Sequence, residues 1–158
     1  MRRTIYFLLL FSLLFASCAT TQQQREERQR LVEQAINTRQ FKIVVHSMQT
    51  QRYGTKRVTS DFDLTIKGDT MVSYLPYMGQ VYGIVPYGGP SEGLNFTSPI
   101  RNFRQSILKH NAVCMEMNVA SKEDEYYYRI DIYPNGRAYI YVRARERDTV
   151  HFDGEMVF

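Results

Sequence analysis

Tyr126-Tyr127-Tyr128-Arg129-Ile130-Asp131-Ile132-Tyr133-Pro134-Asn135-Gly136-Arg137-Ala138-Tyr139-Ile140-Tyr141-Val142-Arg143-Ala144 alternates apolar with polar or tyrosine positions on both sides of a Pro-Asn-Gly turn. Period-two alternation is the pattern of strands buried on one face. The turn then decides the register. A two-residue Asn135-Gly136 turn would set Ile132 against Tyr139 and Asp131 against Ile140, mixing polar and apolar residues on both faces. A three-residue loop has Pro134 presetting its first position and Gly136 supplying a left-handed residue. It sets Ile130 against Ile140, Ile132 against Ala138, Tyr128 against Val142 and Tyr126 against Ala144. One face of this hairpin is core. The other carries Tyr127, Arg129, Asp131 and Tyr133 opposite Arg143, Tyr141, Tyr139 and Arg137, a ladder of tyrosine and arginine.

The same alternation recurs upstream. Asp61 to Lys67 places Phe62, Leu64 and Ile66 on one side, and a Gly68-Asp69 turn pairs Ile66 with Met71, Leu64 with Ser73 and Phe62 with Leu75. Phe41 to Met48 reads as a first strand, Phe103 to Leu108 and the residues around Cys114 as two more, and Thr149 to Phe158 as the last, with Asp153-Gly154 as a bulge or sharp bend. The helix expected is Arg25 to Arg39, where Leu31 with Ala35 and Val32 with Ile36 recur four apart in a polar surround. The expected fold is mainly β: one N-terminal helix followed by an antiparallel meander of about eight strands, strongly curved or closed into a small barrel. A two-sheet sandwich is the competing arrangement.

Arg2 and Arg3, the apolar run Ile5 to Phe15, and Ala16-Ser17 before Cys18 have the order of an export signal. An apolar run of about eleven residues is short of the roughly 20 that span a bilayer as a helix. Residues 1–17 are therefore read as a lipoprotein signal peptide, Cys18 as the lipid attachment site, 18–24 as a lipidated cysteine and polar tether, and 25–158 as a single domain. Ordinary cleavage after Ala19 would leave Cys18 unexplained. Neither Asp directly after the cysteine nor an acidic run soon after it is present, so the expected address is the periplasm-facing leaflet of the outer membrane. The formal charge of +4 falls when Arg2 and Arg3 are removed, to 18 basic residues against 16 acidic, and the bases are dispersed along the chain. Nucleic acid is not an expected partner. Cys114 remains as the one other thiol, which excludes an internal disulfide with an acylated Cys18 and a cysteine metal cluster. It is expected to be packed and inert.

Catalytic signatures are missing from the sequence. His46, His110 and His151 lie far apart without metal-ligand spacing, Asp61 and Asp63 share a strand face as solvated acids commonly do, and no Gly-x-Ser-x-Gly occurs. Gly88-Gly89-Pro90 lacks the Lys and Ser/Thr of a phosphate loop. No enzyme, cofactor or metal is expected; a hydrolase would need Asp61, Asp63 or a histidine to converge with an ion in a cleft. The stretch Tyr74 to Pro90 stands out because tyrosines, prolines and glycines alternate over a length no ordinary turn requires. Tyr74, Pro76, Tyr77, Met78, Tyr82 and Tyr87 are candidates for a binding lip toward an apolar ligand, the plainer alternative being a loop that covers one end of the core. Tyr127, Arg129, Tyr139, Tyr141 and Arg143 are candidates for contact with an envelope protein.

Tyr74-Leu75-Pro76-Tyr77-Met78-Gly79, Pro86-Tyr87-Gly88-Gly89 and Leu94-Asn95-Phe96 resemble the signature of Bacteroidota lipoproteins grouped as domain of unknown function 4251. Leu64-x-Ile66-x-Gly68-Asp69 and Gly154 fit as well, while Met78 stands where an aromatic is usual and the glycine run is shorter. The resemblance covers most of the mature chain. It implies an exported envelope protein and carries no catalytic residues.

Overall fold

The computed structural model describes residues 22–59, 61–82, 93–122 and 124–158. The signal segment, Cys18, Pro86 and Tyr87 lie outside the described residues. A helix, α1, occupies residues 22–38, so Gln22 to Gln24, expected in the tether, are helical. Gln22 donates to Glu26 and Gln29 to Glu33, pairs four apart that support an exposed helix surface. The helix ends where Arg39 turns left-handed, with φ 51°. Val32, Ala35 and Ile36 are buried, but Leu31 is exposed, so the apolar stripe is narrower than expected.

Ten strands follow: β1 (Gln40–Thr50), β2 (Gly54–Arg57), β3 (Asp63–Lys67), β4 (Thr70–Leu75), β5 (Leu94–Pro99), β6 (Arg101–Ile107), β7 (Val113–Ala120), β8 (Glu125–Ile132), β9 (Arg137–Ala144) and β10 (Val150–Val157). They form one antiparallel sheet in the order β5-β4-β3-β1-β10-β9-β8-β7-β6, with β2 beside β1. This is a single, nearly closed barrel-like sheet and not a two-sheet sandwich. β2 and β5 are additions to the eight strands expected. β2 is exposed at all four residues and so has no alternation to read. β5 pairs with β4 from Thr70↔Pro99 to Leu75↔Leu94, although Ser98 and Pro99 dilute its apolar pattern.

The β8–β9 register is the one the turn dictates: Ile130↔Ile140, Ile132↔Ala138, Tyr128↔Val142 and Tyr126↔Ala144. Gly136 takes φ 84° and its N–H donates to the Tyr133 carbonyl at 2.9 Å, closing the three-residue loop. In the first hairpin Ile66↔Met71 and Leu64↔Ser73 hold. The ladder stops at Asp63↔Tyr74, one pair short of Phe62 and Leu75 in the same register; Phe62 lies before β3, where its carbonyl accepts from Val45 N–H and its ring packs on Tyr74 at 5.1 Å. The irregularity expected at Asp153-Gly154 is present, but the extra residue is His46 on β1, between Val45↔Gly154 and Ser47↔Asp153. Gly154 is required there because a Cβ would come within 2.4 Å of the Val44 carbonyl oxygen.

Closure comes from β5 folding back over β7 and β8. Phe96 stacks on Tyr126 at 5.2 Å, and Ser98 donates to the Ala120 carbonyl at 2.6 Å. The inner face is apolar and closed to solvent: Ile43, Leu64, Met71, Met115, Tyr128 and Ile130 have no exposed surface. Fully burying a side chain of this size contributes about 1.5–3 kcal/mol, which is how a domain without a disulfide holds together. α1 crosses one end of the barrel, where Arg28 donates to the Asn135 carbonyl at 2.7 Å and pairs with Glu155.

Candidate functional site

Because side chains alternate along each strand, register alone places the outward residues in rows across the sheet. One row runs Arg101, Asn118, Tyr127, Arg143 through β6, β7, β8 and β9. A second runs Glu116, Arg129, Tyr141, His151, Gln49. A third runs Cys114, Asp131, Tyr139, Asp153, Ser47. The five ladder residues named from sequence, Tyr127, Arg129, Tyr139, Tyr141 and Arg143, come together as the walls of one groove of about 590 Å³. Gln49, Asp131, His151 and Asp153 complete it. Three of these four come from β10, which pairs with β9, and from β1, which pairs with β10; their outward position on alternating strands was the only signal.

The rings brace one another edge to face. Tyr127 and Tyr141 lie 6.2 Å apart, Tyr141 and His151 5.0 Å, and Tyr133 and Tyr139 5.7 Å between centroids. Arg143 leans over the Tyr127 ring at 5.2 Å, a cation against a π face. Arg129 forks onto Asp131 with bonds of 3.0 and 3.1 Å, and this neighbouring carboxylate raises its already high pKa. Tyr127 donates to Glu116; partial burial and that bond push its phenol up to about 12. The groove thus offers flat apolar surface, phenol tips and one guanidinium, Arg143, that pairs with no carboxylate among the described residues, in a volume within the range of small-ligand sites. With its pKa so raised, Tyr127 is a hydrogen-bonding phenol at neutral pH and not an anion.

Cys114 is buried beneath this face. Burial first, then its bond to Asp131, pushes the thiol up to about 11, far from the thiolate that nucleophilic chemistry needs. Asp61, Asp63 and the three histidines do not converge. Asp63 is held by Lys42 at 3.1 Å and Thr65 at 3.1 Å, Asp61 is exposed, and the histidines lie on separate elements. Among the described residues no group of three His, Cys, Asp or Glu is arranged to hold a metal ion.

The Tyr74 to Tyr82 part of the second candidate segment lies at the end of the barrel opposite α1. Tyr77 is half-buried there. Its hydroxyl faces the Gln80 carbonyl at 3.0 Å and the Asp148 carbonyl at 3.2 Å, its ring receives Arg147 at 5.4 Å, and burial pushes its pKa up to about 12. Gly79 lies under the Tyr77 hydroxyl, where a Cβ would come within 2.4 Å. Val81 bridges to Arg147, and Asp148 accepts from Gln80 N–H at 2.9 Å and from the Tyr82 hydroxyl, which lowers the pKa of Asp148. Tyr77 and Gly79 therefore fasten the segment down. Pro76 is half-buried, and Tyr74, Met78 and Tyr82 are exposed.

A sequence profile of the family described as Domain of unknown function (DUF4251) matches residues 22–156. Among proteins with curated descriptions, none matches this chain. In three dimensions the fold is similar to the crystal structure of a DUF4251 family protein from Bacteroides eggerthii DSM 20697, with a TM-score of 0.61 at 12% identity, over 82% of this chain and 87% of that one.

Proposed function

The chain belongs to the DUF4251 family, and from its surface chemistry we propose that it is a non-catalytic binding protein, tethered by lipidated Cys18 to the periplasm-facing leaflet of the outer membrane. Its ligand carries an aromatic ring or the apolar C–H face of a sugar, and lies in the Tyr/Arg groove. The observation that carries this is the gathering of Tyr127, Arg129, Tyr139, Tyr141 and Arg143 around a single groove on the outer face of the sheet, whose inner face is apolar and buried. Tyr77 is committed to holding the barrel end, so the Tyr74 to Tyr82 segment acts as a cap whose exposed Tyr74, Met78 and Tyr82 add a secondary surface.

Thermal shift separates the outcomes. The dialysable fraction of an envelope extract should raise the Tm of the mature chain and leave that of Tyr141→Ala unmoved. A shift given only by the non-dialysable fraction would point to a protein partner on the same face, for which Tyr and Arg are the favoured residues. No shift from either fraction, or equal shifts in wild type and Tyr141→Ala, would sink the groove as the site. The anchor is tested separately. An alkyne fatty-acid probe fed to cells should label the wild type and not Cys18→Ala, and equal labelling would remove the lipid from the proposal.

A further inference from the structure

Beside the aromatic groove, and sharing Tyr127 and Arg143 with it, lies a second depression of about 380 Å³. Its polar lining is Arg101, Asn102, Asn118, Arg143, Arg145 and a single acid, Glu125. Three guanidiniums face one carboxylate here, whereas the aromatic groove sets Arg129 and Arg143 against Asp131 and Asp153. Arg145 reaches Glu146 at 3.9 Å, whereas Arg101 and Arg143 pair with no carboxylate among the described residues. We propose that this depression is an oxyanion site, and that the ligand of the adjoining groove ends in a phosphate or carboxylate bound here. The inference rests on the groove being the binding surface.

Geometry favours convergence. Arg101 and Arg143 stand at the two ends of one cross-strand row, with Asn118 and Tyr127 between them. Three strand spacings separate their backbones, about 14 Å, and each guanidinium sits on a long flexible stem. Arg143 leans over Tyr127, that is, toward Arg101. Asn118 is exposed in the middle of the row, so its amide can donate to an oxyanion held between the two arginines. On the far side, β6 departs from regular pairing between Arg101 and Arg104, and Asn102 takes the left-handed φ of 51°. Bulges of this kind re-aim side chains at a sheet edge. Planar guanidiniums with parallel N–H donors match phosphate and carboxylate oxygens, and a charged donor strengthens each bond. The aromatic groove begins at the same Tyr127 and Arg143, so one elongated molecule can place its ring against Tyr141 and His151 and its anion on Arg101 and Arg143.

Calorimetric titration of the mature chain at low salt tests this, with phenyl phosphate, benzoate, inorganic phosphate and phenol as probes. Phenyl phosphate or benzoate should bind at least tenfold more tightly than phenol, and whichever does so identifies the oxyanion. Arg101→Gln and Arg143→Gln should each remove roughly tenfold of that affinity, and added salt should weaken it further. Both residues are exposed, and unchanged melting of the variants will establish that they fold. If the charged probes bind no better than phenol and Arg101→Gln has no effect, the oxyanion site is overturned, while continued sensitivity to Tyr141→Ala keeps the groove. If inorganic phosphate binds as well as phenyl phosphate, depends on both arginines and ignores Tyr141→Ala, the oxyanion site stands and the ring groove falls.

Discussion

Cys114 illustrates how a residue's position changes its chemistry. By strand parity it belongs to the outward Tyr/Arg face, yet it is 4% exposed and its thiol is bonded to Asp131. A neutral donor under a carboxylate is a packing element and not a nucleophile. We predict that a water-soluble thiol reagent at pH 7.5 will leave Cys114 unmodified in the folded protein and modify it rapidly in urea. Fast native labelling would mean that the thiol is open to the groove. Gly154 shows the opposite economy, where the absence of a side chain is what matters. Gly154→Ala forces a Cβ toward the Val44 carbonyl at 2.4 Å and the Ile43 side chain at 2.9 Å, so β1 and β10 must separate at the bulge. The expected loss is about 1–3 kcal/mol by urea denaturation; a neutral substitution would show that the bulge absorbs the added atom.

Among the elements, the segment after β4 depends on a hub that sequence does not reveal. Arg147 and Asp124 face each other at 3.9 Å with side chains 4% and 2% exposed, and Asp124 also accepts from the backbone N–H groups of Arg145 and Glu146. Tyr77 lies against the other side of Arg147. Breaking one side of a buried pair costs about 3–5 kcal/mol. Asp124→Ala should lose that much in urea, and Asp124→Asn less, because its amide oxygen still accepts from the backbone. A loss below about 1 kcal/mol in Asp124→Ala would mean that the pair contributes little beyond filling space. Legibility divides along the same lines. The β8–β9 hairpin could be read because Pro134, Gly136 and strict alternation constrain one another locally. β2 could not, since a strand exposed at every position leaves no alternation. The ladder half of the site was legible because it lies on one hairpin, whereas His151 and Asp153 reach it through β10–β9 pairing and Gln49 only through β1–β10 pairing across about a hundred residues of chain. Asp124 and Arg147 meet by loop geometry, to which no period applies.

At the scale of the whole molecule, the buried inner face determines how the protein responds to alkali. Tyr128 lies entirely inside, with its hydroxyl 3.2 Å from Ser73, and burial raises its pKa well above the usual phenol value. Tyr77 and Tyr127 are pushed to about 12 and Cys114 to about 11, each from burial first. All four groups are neutral when protonated and hold their protons more tightly folded than unfolded. Between the ordinary thiol and phenol values, near pH 9–10, and the raised folded values, the unfolded chain therefore binds fewer protons than the native one. Stability then falls as pH rises. It should be fully present below about pH 9 and decline through about pH 12, as folded Tyr77 and Tyr127 approach their own ionisation. The fully buried Tyr128 should set the steepest part, because a phenolate there has no water and only one hydroxyl to receive it. Tyr128→Phe removes that titration along with one modest hydrogen bond. It should cost about 1 kcal/mol at pH 7 and flatten the fall above pH 10, read from urea midpoints across the range. A decline as steep in Tyr128→Phe as in the wild type would move the alkaline sensitivity out of the core, to the tyrosines of the groove and of the barrel cap.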